Sequence, residues 1–214
     1  LSGGGAGEIK LKGPLAITGS KIDYDLDAGF LKTNFAPILN DQRYASDFNS
    51  SLKIKGSMST AEAFPKGFEV ALRGEAAPSK MFDINLRRGV IDAAYNGASV
   101  GIKSLVLESE PFSVNASGEL GSGGENNIKY NVDIKNLNFV AKLAPDYHLG
   151  GSLGLDGYIK GDLQKPRIIV NARGSDITYE EKRLRMKKVE LTADSYLDIN
   201  DLRLTAGGEA KGID

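Results

Sequence analysis

The feature that most constrains this chain is a period of two that runs through nearly all of its length. Ile22, Tyr24 and Leu26 alternate with Lys21, Asp23, Asp25 and Asp27. The same rhythm sets Leu52 and Ile54 among polar neighbours, then Phe68, Val70 and Leu72, then Val100 and Ile102, then Leu105 and Leu107. It continues through Val114, through Ile128, Tyr130 and Val132, and through Leu153 and Leu155. Ile168 and Val170, Leu184 and Met186, and Val189 and Leu191 extend it toward the C-terminal end. Successive strand side chains point to opposite faces, so each segment has one apolar and one wet face. Strands buried on both faces would instead read as continuous Val/Ile runs. The pattern predicts an all-β chain of mainly antiparallel strands.

Turn chemistry separates these segments. The 26 Gly supply Gly13-Pro14, Gly19-Ser20, Asn96-Gly97, Gly121–Gly124 and Gly150-Gly151, each suited to the backbone angles of turns. Asn96-Gly97 predicts a tight hairpin. Two stretches, Gly29–Leu39 and Asn136–Ala144, break the alternation. Leu31, Phe35 and Leu39 would share one helical stripe, as would Phe139 and Leu143, which predicts two short helices.

Composition removes several classes of function. No Cys is present, so disulfides, thiolate nucleophiles and Cys-based zinc sites are absent. The single His, His148, falls in a predicted loop. Lys+Arg 27 against Asp+Glu 28 leaves a net charge of −1, without the basic excess that nucleic-acid binding needs. No run approaches the ~18 apolar residues of a spanning helix. Asp23, Asp25 and Asp27 share one strand face but lack a calcium loop around them, so they read as a solvated face. The basic run Lys182, Arg183, Arg185, Lys187 and Lys188 reads likewise. The Gly3–Gly5 and Gly121–Gly124 stretches lack the Gly-Lys-Ser/Thr ending of a phosphate loop. No nucleophile–base pair, metal site or cofactor motif stands out, and an enzyme is not expected.

Comparison of the chain with itself reveals a repeat of about one hundred residues. Ile22–Asp27 matches Ile128–Asp133, each running into a short helical stretch. Ser51–Gly56 matches Ser152–Gly157, Pro65 matches Pro166, and Val70–Gly74 matches Val170–Gly174. Tyr95, Val100, Ile102, Leu105 and Leu107 are then set against Tyr179, Leu184, Met186, Val189 and Leu191. The approximate copies are 1–110 and 111–214, expected to form one continuous segment of a longer repeat protein.

The line from Gly151-Ser-Leu-Gly-Leu-Asp-Gly157 through Gly161-Asp-Leu to Pro166, followed by alternating strands, resembles the AsmA/TamB family of Gram-negative envelope proteins. The resemblance implies a periplasmic segment of a protein anchored elsewhere in the inner membrane. It implies a curved antiparallel sheet that forms a taco-like groove with an apolar concave face. The function implied is non-enzymatic: shielding phospholipid acyl chains for transport between inner and outer membranes. The candidate lining is the row of apolar residues named in the opening paragraph, from Leu52 to Leu107 and from Val114, Leu153 and Leu155 to Leu191. Expected partners are phospholipid and flanking repeats of the same protein, with edge-to-edge self-association of the segment a further expectation. The alternative is a scaffold that assists assembly of an outer-membrane protein by strand-edge pairing.

Overall fold

A computed structural model describes residues 7–62, 67–81, 83–121, 127–144, 146–163, 165–198 and 203–211. Gly3–Gly5, Pro65, Ser122–Gly124, Pro145 and Leu202 lie outside the described residues. The chain is all-β with a few short helices, and it divides into two compact units, Leu1–Leu107 and Glu108–Asp214.

In the first unit the strands are β1 (Glu8–Lys12), β2 (Leu15–Thr18), β3 (Lys21–Thr33), β4 (Ser46–Ser59), β5 (Phe68–Ala76), β6 (Ser79–Met81), β7 (Ile84–Tyr95) and β8 (Ser99–Ser109). Their order across the sheet is β1-β3-β4-β5-β7-β8; β2 also pairs with β3, and the three-residue β6 bridges β4 and β7. A four-residue helix, α1 (Ala36–Leu39), links β3 to β4. The second unit contains β9 (Phe112–Gly121), β10 (Asn127–Ile134), β11 (Leu149–Lys160), β12 (Arg167–Tyr179), β13 (Leu184–Asp198) and β14 (Arg203–Lys211), paired in simple sequence order. Its helix α2 (Val140–Leu143) follows a 3-10 turn between β10 and β11. The registered pairs within both units are antiparallel.

The helices are shorter than the sequence spacing predicts. Gly29–Thr33 stays in β3, paired with β1 and β4 through a bulge in which Lys32 takes φ 48°. Leu31 is therefore an exposed strand residue, and no helical stripe joins it to Phe35. Only after Asn34 does Pro37, with φ pre-set and no N–H to lose, open a helical turn. Gly150-Gly151 differs too: both residues lie inside β11, where Gly151 (φ 96°) stands opposite a bulge of β12 between Ser175 and Thr178. Glycine suits that position because the left-handed region penalises a β-carbon. The Asn96-Gly97 hairpin forms as predicted. Asn96 Oδ1 accepts the amides of Ala98 (3.1 Å) and Ser99 (2.7 Å), and Gly97 has φ 85°.

Full burial is sparse and includes residues beside the short helices. Thr33 is fully enclosed, its hydroxyl donating to the Glu8 carbonyl (3.2 Å), and Ala36 is buried beside it. Phe48 meets Phe30 at 5.8 Å and Phe35 at 5.7 Å between ring centres. In the second unit Leu137 is buried and Phe112 packs on Phe139 at 5.3 Å. Most other alternating strand residues are half-buried, while Ile84, Leu120, Ile128 and Ala172 are buried. Phe68, Val70 and Leu72 of β5 follow that rule against exposed Glu69, Ala71 and Arg73. Among the described residues, the strand pairs in substantial contact are ladder neighbours, and most side chains on each unit's apolar face stay half-buried. Each aliphatic side chain on that face gains only part of the ~1.5–3 kcal/mol that full burial provides.

Candidate functional site

Register converts the alternation into rows that cross the strands. In the first unit Leu26, Ile54, Leu72 and Ala93 are successive Cα partners, as are Ala28, Leu52, Gly74 and Ile91. A third row runs Ile22, Met58, Phe68. In the second unit Val114, Val132, Leu155, Ala172 and Leu191 form one row; Phe112, Ile134, Leu153, Gly174 and Val189 form the next. Ile128, Ile159 and Ile168 make another. Neighbouring strands are ~4.8 Å apart, so side chains along a row lie close enough to touch.

One place where the alternation changes phase, in β12, keeps its residues on this face. At the turn into β8, Asn96 N–H donates to the Ser99 carbonyl (3.2 Å). A β-carbon placed on Gly89 would lie 3.5 Å from Cδ2 of Leu107, so Leu107 shares the face of Gly89, Ile91 and Ala93. In β12, Asp176 takes φ 50° and Ile177 leans back over Gly174, where a β-carbon would meet its Cγ1 at 2.9 Å. Met186 and Leu184, opposite Ile177 and Tyr179, follow to the side of Val189 and Leu191.

The candidate residues of β4 and β5, and those of β9, β11, β12 and β13, therefore share one face of their unit's sheet, and Leu107 lies on the face of Gly89. All are half-buried except Leu184 and Leu191, which are exposed at 43% and 38%. None is in a closed core. The face continues onto the edge strands of the first unit, where Leu11 pairs with Ala28, Leu15 with Tyr24 and Ile17 with Ile22. These three are exposed at 61%, 58% and 68%.

Sequence reasoning missed one element, present in both units. Tyr24 is the Cα partner of Gly56, which is in turn the partner of Val70; Tyr130, Gly157 and Val170 stand in the same relation. Each tyrosine crosses its glycine and donates its hydroxyl to a main-chain carbonyl on the third strand, Glu69 O at 2.9 Å and Ile169 O at 3.0 Å. A β-carbon on either glycine would lie 2.7 Å from the tyrosine oxygen. Burial pushes both phenol pKa values up, and the Asp156 carboxylate adds to the effect at Tyr130. A buried hydroxyl without a partner costs about 1–3 kcal/mol. Here that cost is avoided without water. The only sequence signal was the Tyr/Gly match between the copies, which does not reveal where a hydroxyl points.

The opposite face is ionic. Asp25 sits between Lys53 (3.4 Å) and Lys55 (3.7 Å) of β4, Asp23 bonds Lys21 (2.9 Å), and Arg73 reaches Asp92 (3.1 Å). The three aspartates of β3 thus lie on a balanced, wet sheet face, and no cluster of metal-ligating residues occurs among the described residues. Arg167 Nε donates to Asp194 Oδ1 at 2.8 Å, and that hydrogen bond holds the Asp194 carboxyl below its ordinary range. A carboxylate with a depressed folded pKa stabilises the protein above its unfolded pKa and loses that contribution as pH falls through the folded value. The midpoint of thermal unfolding should therefore exceed that of Asp194→Asn at pH 6, with the gap closing below about pH 4. A gap independent of pH would show that the charge of Asp194 is not involved.

Comparison with family models, curated proteins and solved structures finds no match to this chain. No helix among the described residues is long and apolar enough to cross a membrane.

Proposed function

We propose that this chain is a non-enzymatic, periplasmic segment of an AsmA/TamB-like protein that shields phospholipid acyl chains in transit between the inner and outer membranes. One observation carries the reading: continuous aliphatic rows cross each unit's ladder, with most of their side chains half-exposed. Contiguous apolar surface of that kind marks a site for an apolar partner. Exposing acyl chains to water costs ~0.8 kcal/mol per CH₂, so two chains cost tens of kcal/mol. A face of aliphatic side chains removes much of that cost without a covalent step. It also offers no fixed polar anchor along a row, so a chain slides from one row to the next. Native mass spectrometry of the protein isolated from a bacterial periplasm should find phospholipid at near-stoichiometric levels. A stable, lipid-free monomer would overturn the reading.

A second reading draws on the edge of the first unit, where Leu11, Leu15 and Ile17 stand exposed on β1 and β2. An edge strand with alternating aliphatic residues is a template for strand addition. In that reading the segment is a scaffold that guides strands of an outer-membrane protein. Photocrosslinkers at positions 15 and 17 would capture client strands, while those at 155 and 170 would capture no lipid.

A further inference from the structure

We propose that the latched tyrosines are the points at which the apolar chain rests: the ring faces of Tyr24 and Tyr130, laid over Gly56 and Gly157, form one ligand platform in each unit. The inference rests on the lipid reading above and deepens it by naming where contact is made.

The hydroxyl geometry supplies the first argument. A tyrosine on an apolar face is normally a poor floor for an acyl chain, because covering it strips water from its O–H. In both units the O–H already donates to a main-chain carbonyl, so a hydrocarbon lying on the ring removes no hydrogen bond. Burial raises the pKa of both phenols, which keeps them protonated as donors. The site is prepared for a dry state even while half-exposed.

The second argument is rigidity. Each ring is held from three strands: its own, the strand whose glycine lies beneath it, and the strand whose carbonyl accepts its hydroxyl. A fixed aromatic surface loses little side-chain freedom when covered, which favours binding. The surroundings match. Leu15, Val70 and Tyr95 flank the ring in the first unit; Ala116, Val170 and Ala193 flank it in the second. Tyr158 and Tyr196 are placed differently, against the cations of Lys160 and Arg167.

The chain contains no Trp, so tyrosine emission is directly readable. The probe is phosphatidylethanolamine with a dibrominated acyl chain, loaded onto the native protein, onto Tyr24→Phe and Tyr130→Phe singly, and onto the double variant. Native mass spectrometry counts the lipid in each sample, and far-UV circular dichroism checks the fold. Bromine in contact with the rings should quench emission in the native protein. Quenching per bound lipid, scaled by the lipid count of each sample, should fall by at least half in the double variant and by an intermediate amount in each single one. Undiminished quenching per bound lipid would place the lipid elsewhere on the face and overturn the platform while the lipid reading stands. Absence of bound lipid from the native protein would overturn both.

Discussion

Leu155→Asp combined with Val170→Asp should strip bound phospholipid from the protein by more than ten-fold while leaving it folded. Leu155 lies between Val132 and Ala172 along its row, and Val170 between Gly157 and Ala193 along the next. Both side chains are half-buried, so in the empty protein a carboxylate at either position keeps part of its hydration. Under an acyl chain the same carboxylate would be an unpaired charge out of water, at a cost of several kcal/mol per ion. Each 1.4 kcal/mol is ten-fold in affinity, so even one-third of that penalty gives the expected loss. Ser117→Asp is the control, because Ser117 pairs with Lys129 on the wet face of the same unit. It should retain lipid. Lipid content measured by extraction, with circular dichroism on the same samples, decides the matter. Equal loss in the control, or retention in the double variant, would detach lipid binding from this face.

The largest effect on stability is expected at Gly157→Val. A β-carbon there would collide with the main-chain carbonyl of Ile169 and crowd the Tyr130 hydroxyl. Because the obstacle is backbone in a paired strand, the clash is relieved only by parting β11 from β12 and breaking the tyrosine's hydrogen bond. Overpacking costs about 1–3 kcal/mol, and the lost bond adds about 1 kcal/mol. The thermal midpoint should fall by roughly 5–15 °C, given ~2–4 °C per kcal/mol in chains of this size. Gly101→Ala in β8 is the informative contrast, since a β-carbon there meets nothing within 4 Å. Removing a glycine from a strand without a clash should leave the midpoint unchanged or raise it slightly. Similar losses at both positions would mean that general strand loosening, rather than the close approach at Gly157, sets the cost.

Period-two alternation made the strands legible before any coordinates, because a sheet with one wet face writes its geometry directly into residue order. Ile168–Val170 and Phe68–Leu72 needed no tertiary information. The short helices were legible only as interruptions. Hydrophobic spacing at Leu31 and Phe35 imitates a helix, but ladder pairing with β1 and β4 outweighs local spacing as far as Thr33. The sequence matches of the two copies agree with strand pairing through Val70 and Val170 and depart from it beyond. Strand pairing sets Met81 against Ile84 and Tyr179 against Leu184, so β13 corresponds to β7 rather than to β8. Ile84, Leu86, Ile91 and Ala93, not Val100 to Leu107, are the counterparts of Leu184, Met186, Val189 and Leu191. The error arose because a bulge and a three-residue strand alter the count of residues without altering the apolar pattern. The tyrosine latches were invisible for another reason. They depend on a carbonyl 45 and 39 positions away, a relation that only folding creates.

The common register of β3–β4–β5 and β10–β11–β12 makes these two triplets interchangeable parts. Splicing one in place of the other would return a tyrosine opposite a glycine and a valine beyond it, with every aliphatic row still joined. A one-residue insertion in a single strand, left uncompensated by a bulge, would instead turn the apolar side chains beyond it toward water. Such a protein therefore lengthens safely only in whole units. Duplication of whole units, rather than gradual extension, preserves the register of a sheet of this kind.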